Sequence, residues 1–114
     1  MSHEAKAPLQ VVNARMGAHN RHDLGQFLAL YSDEIQIYDY PDTPLGSPGK
    51  AHLRSIFEPL FDDRAVHVTI HNQIVNGHYV VNHETVVRRG EEFLYLSIYE
   101  VVDGLIQSVR FIRG

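Results

Sequence analysis

The chain has 114 residues, 44% of them hydrophobic and 21% charged, with a formal net charge of −4 and no cysteine. This length suits one domain with its own core, and the composition excludes a disordered chain. The lack of cysteine excludes disulfides, thiolate nucleophiles and zinc–sulfur sites.

The acidic balance argues against nucleic-acid binding: Arg88-Arg89 sits beside Glu91-Glu92 and no basic stripe emerges. No segment approaches the ~18 apolar residues of a membrane span. Met1–Ala7 is polar, lacks the apolar stretch of a secretory signal, and is expected to be a short tail on a single domain over 1–114. The expected location is cytoplasmic.

Leu9, Val12 and Met16 recur at helical spacing, with Val11 and Ala18 widening the stripe. The pattern predicts a helix from Pro8, a favoured first-turn residue, to about Asn20–His22. Asp23 reads as the cap of a second short helix, with Gln26 as its capping-box partner and Leu24, Phe27, Leu28 and Tyr31 on its apolar face. A strand is predicted over Ile35–Tyr40, placing Asp39 in phase with Ile35 and Ile37.

Pro41–Gly49 is turn-rich and ends in Ser47-Pro48, a cap followed by a first-turn proline. Leu53, Ile56, Phe57, Leu60 and Phe61 then match one helix face, and Pro59 predicts an end or bend near Glu58. Four strands follow: 66–75, 78–87, 93–102 and 105–112. Asn76-Gly77, Arg89-Gly90 and Asp103-Gly104 join them as turns. Helices grouped ahead of an antiparallel meander predict an α+β fold, with the helices on one sheet face.

His22-Asp23-Leu24, the run Phe27 to Glu34, Ile37-Tyr38-Asp39, the helix after Gly49, and the closing run Ile98 to Ile106 occur in a telling order. In these the chain resembles the nuclear transport factor 2-like superfamily, in its SnoaL-like and ketosteroid isomerase-like branch. The resemblance implies a cone-shaped fold (α-α-β-α-β-β-β-β) with a deep pocket, often dimeric. It also implies activities such as isomerisation, aldol cyclisation, epoxide hydrolysis and dehydration.

Carried over singly, the isomerases' general base matches Asp39. Their oxyanion-hole tyrosine falls at Arg15, their protonated aspartate at about Ile98 and a supporting tyrosine at about Phe57. Three of these four positions differ in residue type, which departs from a true ketosteroid isomerase. The resemblance further points Val80, Asn82, Glu84 and Val86 inward, then Leu94, Leu96, Ile98 and Glu100, then Val109, Phe111 and Arg113. It places His67, Thr69, His71, Tyr79, His83 and Tyr99 outside.

The expected chemistry is proton transfer, with Asp39 as base in a water-poor hollow that raises its basicity. Glu84, Asn82 and Arg15 would protonate or polarise the other end of the substrate. Tyr31, Ile37, Phe57, Val80, Ile98, Glu100, Val109 and Phe111 would line the pocket. No metal or organic cofactor is expected: His67 and His71 are roughly 13 Å apart along one strand, too far to share an ion. The leading expectation is an enzyme acting on a compact apolar carbonyl or ring compound. The others are a non-catalytic ligand-binding module and an interaction module. A small-molecule ligand and a homodimer through the outer sheet face are the expected partners.

Overall fold

The computed structural model describes residues 6–114, so of the expected N-terminal tail residues 1–5 lie outside it. Helix α1 (Pro8–Arg21) starts at the predicted proline and ends on His22, whose left-handed φ of 58° closes it. Asp23 Oδ1 accepts from the Gln26 N–H at 3.2 Å and starts α2 (Leu24–Ala29). Tyr31 is not on that helix: it opens strand β1 (Tyr31–Asp39), which begins four residues earlier than predicted.

The turn-rich loop contains a two-residue strand, β2 (Thr43–Pro44), paired antiparallel to the end of β1. Helix α3 (Lys50–Asp62) is preceded by Gly49, not capped by Ser47. Gly49 has φ 107°, a conformation that suits glycine, and its N–H bonds the Ile35 carbonyl at 2.7 Å, tying the helix start to β1. Pro59 lies inside α3 and does not end it. The missing donor is offset by the following turn, where Leu60 and Phe61 are buried in the core; each such burial contributes about 1.5–3 kcal/mol.

Strands β3 (Val66–Asn76), β4 (Tyr79–Arg88), β5 (Glu91–Val102) and β6 (Leu105–Arg113) form the predicted meander. Arg89-Gly90 and Asp103-Gly104 have positive φ at both positions, as two-residue hairpin turns require. The first hairpin loop is Gly77-His78, because Asn76 pairs with Tyr79 as the last residue of β3. The sheet order is β2-β1-β6-β5-β4-β3. β1 runs parallel to β6 and every other pairing is antiparallel. The result is an α+β architecture: three helices pack on a curved, unclosed mixed sheet.

Cross-strand register fixes which face each side chain takes. Val80 pairs with Tyr99, Asn82 with Ser97, and Glu84 with Tyr95. Partners in an antiparallel ladder share a face, so β5 turns Tyr95, Ser97, Tyr99 and Val101 toward the helices, and all four are buried. The expected inward set, Leu94, Leu96, Ile98 and Glu100, lies on the outer face. A one-residue slip of phase reverses a whole strand; the strand's aromatic and aliphatic residues on both faces hid its true phase.

The core lies between this sheet face and the helices. Phe27, Phe57 and Phe61 pack with ring centroids 4.7–5.7 Å apart, and His19 sits against all three. Asn20 docks α1 on the outermost strand: its side chain accepts from the Val68 N–H at 2.8 Å and donates to the Val68 carbonyl at 2.9 Å. It thereby satisfies an edge that has no strand beside it.

Candidate active site

Between the helices and the inner sheet face is a cavity of about 150 Å³. Its polar lining is Arg15 and His19 from α1, Tyr31 from β1, Glu84 and Arg88 from β4, Tyr95 from β5 and Arg113 from β6. Apolar side chains form the rest, among them Ile37, Phe57, Val109 and Phe111. A hollow of this volume accommodates a molecule of about one ring.

Arg15, one turn before His19 on α1, is 5% exposed. Its Nε–H donates to the Tyr31 hydroxyl at 2.9 Å. The guanidinium lies 5.0, 5.9 and 5.5 Å from the ring centroids of Phe27, Phe57 and Tyr99. Arginine remains protonated at every accessible pH, so this cage holds a permanent cation.

Glu84 is 1% exposed. Burial pushes its carboxyl above the usual carboxylate range; the Arg15 charge, and then the flanking Asn82 and Ser97 side chains, pull it only partly back. These neighbours influence the carboxyl without forming aligned bonds to it: Glu84 Oε1, Asn82 Nδ2, Ser97 Oγ and the Tyr99 hydroxyl have no hydrogen-bond partner among the described residues. Asn82 is anchored through its other atom, Oδ1, which accepts from Gln73 Nε2 at 2.8 Å. Burial also raises the Tyr31 and Tyr99 hydroxyls, so both stay protonated donors at neutral pH.

Asp39 has the predicted phase, since Ile37 pairs with Val109 and Asp39 with Phe111. Its depth differs from expectation. It does not line the cavity, its side chain is 36% exposed, and its Oδ1 accepts from Arg113 Nε at 3.0 Å. Strand β1 ends there, so the carboxylate reaches only the mouth. The buried carboxyl of this site is Glu84.

Of the other expected lining residues, Tyr31, Ile37, Phe57, Val109 and Phe111 line the cavity. Val80 and Asn82 are fully buried on the inner face but do not line it. Ile98 and Glu100 face the other way, where Glu100 accepts from the Ser108 hydroxyl at 3.1 Å. Tyr99, expected outside, is fully buried beside Arg15. His19, Arg88 and Tyr95 were not expected at the site. A histidine at the spacing of Val12 and Met16, on the buried stripe of α1, was the available signal for His19. The β4–β5 register reveals the other two.

Residues 12–109 match the family model described as a SnoaL-like domain. The chain belongs to this family. No curated protein matches the sequence. Among solved structures, an uncharacterised cystatin-fold protein of Novosphingobium aromaticivorans is similar at TM-score 0.85 and 23% identity, over 96% of this chain and 100% of that one. An NTF2-like protein of unknown function from Cytophaga hutchinsonii is similar at TM-score 0.82 and 13% identity, over 100% and 95%. An LEH-like epoxide hydrolase of M. tuberculosis is similar at TM-score 0.77 and 18% identity, over 94% and 82%. These likenesses establish the NTF2-like fold. Among the described residues of this SnoaL-like chain, no helix is long and apolar enough to cross a membrane.

Proposed function

We propose that this SnoaL-like protein is a proton-transfer enzyme acting on a compact, mostly apolar carbonyl or ring compound held in the Arg15–Glu84 cavity. The observation that carries the reading is Glu84: a carboxyl 1% exposed, lining the cavity, with Oε1 unpartnered. A carboxyl whose hold on its proton is strengthened by burial is better suited to act as a general acid than an ordinary surface glutamate.

The two acids would divide the work by environment. Glu84 is the acid inside, and the Arg15 cation with the Tyr31 hydroxyl favours negative charge at the inner end of the substrate. Asp39, ion-paired at the mouth, is the base for the end of the substrate nearest solvent. Isomerisation, dehydration, aldol cyclisation and water addition all need such a pair. The cavity volume favours substrates of about one ring, and the epoxide hydrolase among the structural neighbours makes cyclic epoxides worth including.

The test uses a panel of one-ring ketones and cyclic epoxides. Exchange of ketone α-protons in D₂O and loss of epoxide are followed by NMR. Turnover above buffer that falls at least tenfold in both Glu84→Gln and Asp39→Asn supports the reading. Wild-type protein no faster than buffer across the panel, or variants as fast as wild type, overturns it.

We also propose a homodimer through the outer sheet face. Tyr95 and Tyr99 are buried on the inner face and do not contribute; the support is Ile74, Tyr79, Leu94 and Leu96, which are 65%, 46%, 47% and 38% exposed. A monomer mass by sedimentation at micromolar concentration would rule it out.

A further inference from the structure

Three guanidiniums line one small cavity in a chain whose net charge is −4. Arg15 marks the inner end, at 5% exposure, and Arg113 the outer, with its side chain 56% exposed. Two carboxyls stand against the three, and of these Asp39 alone forms an ion pair among the described residues. Asp39 is already paired with Arg113. Glu84 lies near enough for its charge and that of Arg15 to act on each other, but the two form no direct ion pair, and burial favours the neutral carboxyl.

Arg88 has no carboxylate partner among the described residues. It is held in place by the Tyr95 hydroxyl at 2.9 Å and by the Phe93 ring at 4.5 Å. Arg15 is the more telling case. Its Nε and Nη1 are engaged by Tyr31 and Met16 Sδ, and no protein acceptor among the described residues meets Nη2. A buried cation without a counter-charge is costly, and aromatic faces offset only part of that cost. A site that stores unbalanced positive charge in a water-poor space is complementary to an anion.

We infer that the cavity takes a small carboxylic acid as its anion, about one ring in size, with the carboxylate against Arg15 and the Tyr31 hydroxyl and the apolar body against Val109 and Phe111. The inference rests on the cavity being the functional site and narrows its substrates to oxo, hydroxy or epoxy acids. Arg88 and Arg113 attract the anion at the entrance. Arg15 sets its final orientation. Neutral compounds of the same shape fill the hollow but leave the inner cation unbalanced.

The test compares benzoate with benzamide, which match in size and differ in charge. Binding is measured by calorimetry and by NMR shifts of cavity residues, at low and high salt. Benzoate should bind at least tenfold tighter than benzamide, and the margin should shrink with salt. Arg15→Met should abolish the preference, and Arg15→Lys, which keeps the charge, should retain part of it. Arg88→Gln, at a partly exposed position, should slow benzoate association without unfolding the protein, so the inference remains testable if Arg15→Met does not fold.

Equal binding of the two probes, no benzoate binding at millimolar concentration, or a preference that survives in folded Arg15→Met overturns the inference. The readout is binding alone. Loss of the proton-transfer reading through inactive panels therefore leaves this result standing, and benzamide binding as well as benzoate would sink the anion while leaving the cavity.

Discussion

Acid should destabilise this protein through His19. The ring is 1% exposed, edge-on to Phe57 and Phe61 at centroid distances of 5.9 and 5.7 Å, with Nδ1 3.0 Å from Asn20 Oδ1. Burial, and secondarily the Arg15 charge, pulls its pKa from 6.5 to about 3. The unfolded chain therefore takes up a proton that the folded chain refuses. The contribution is whole above pH 6.5 and is lost as pH falls from there toward 3. Each pH unit inside that window is worth ~1.4 kcal/mol, so roughly 3 kcal/mol is gone by pH 4 and about 5 kcal/mol across the whole window. A domain of this size has only about 5–15 kcal/mol in total.

The assay is urea unfolding, followed by circular dichroism at pH 7, 5.5 and 4, for wild type and His19→Phe. The variant keeps an aromatic ring and has no proton to gain. Its absolute stability is secondary. The quantity of interest is how much more the wild type loses between pH 7 and pH 4, because other titrating groups cancel in the difference. A gap of about 3 kcal/mol at pH 4 is expected. Parallel losses in the two proteins would refute the reasoning.

Asn20→Ala should cost about 2–3 kcal/mol in urea unfolding, since it leaves both polar groups of Val68 without their side-chain partner. Glu84→Gln should flatten stability against pH: with the carboxyl raised in the folded state, wild type loses stability as pH rises from the usual carboxylate range through the folded value, and the variant does not. Urea titrations between pH 4 and 8 check this, and identical slopes would count against a buried acid. Asp39→Asn should change stability by less than ~1 kcal/mol, because its ion pair with Arg113 is exposed. A thermal melt shifted by only a few degrees would let any lost activity be assigned to chemistry.

Much of the architecture was legible in local patterns. Pro8, the Asp23 cap, the α3 stripe and the dipeptides Arg89-Gly90 and Asp103-Gly104 each dictate a local conformation, and α1, α2 and the meander follow, with the first hairpin turning one residue later than Asn76-Gly77. Two elements resisted for physical reasons. Pro59 forecasts an end or a bend, and the helix does not end there because Leu60 and Phe61 are buried in the next turn. β5 has large apolar groups on both faces, so alternation alone could not set its phase; only pairing with β4 does.

That phase error propagated into the site. It put Ile98 where Ser97 and Tyr99 belong, and it hid Tyr95. Asp39 was found by its alternation with Ile35 and Ile37, yet alternation reports direction and not depth. Glu84 is the interior acid because the β4–β5 register sets it opposite Tyr95, on the face that the helices cover.

The parallel pairing of β1 with β6 joins the earliest strand of the chain to the latest. Tyr31 and Ile37 therefore wait for Val109 and Phe111 before their wall of the hollow exists. During synthesis at the ribosome, the helices and the β3–β4 hairpin emerge long before that seam can close, and the guanidinium of Arg15 stays hydrated until it does. Closing this long-range ladder is expected to be slow, by the usual relation between contact order and rate. Chains stalled short of β6 would present an unsealed apolar trough, the form of this protein most in need of a chaperone.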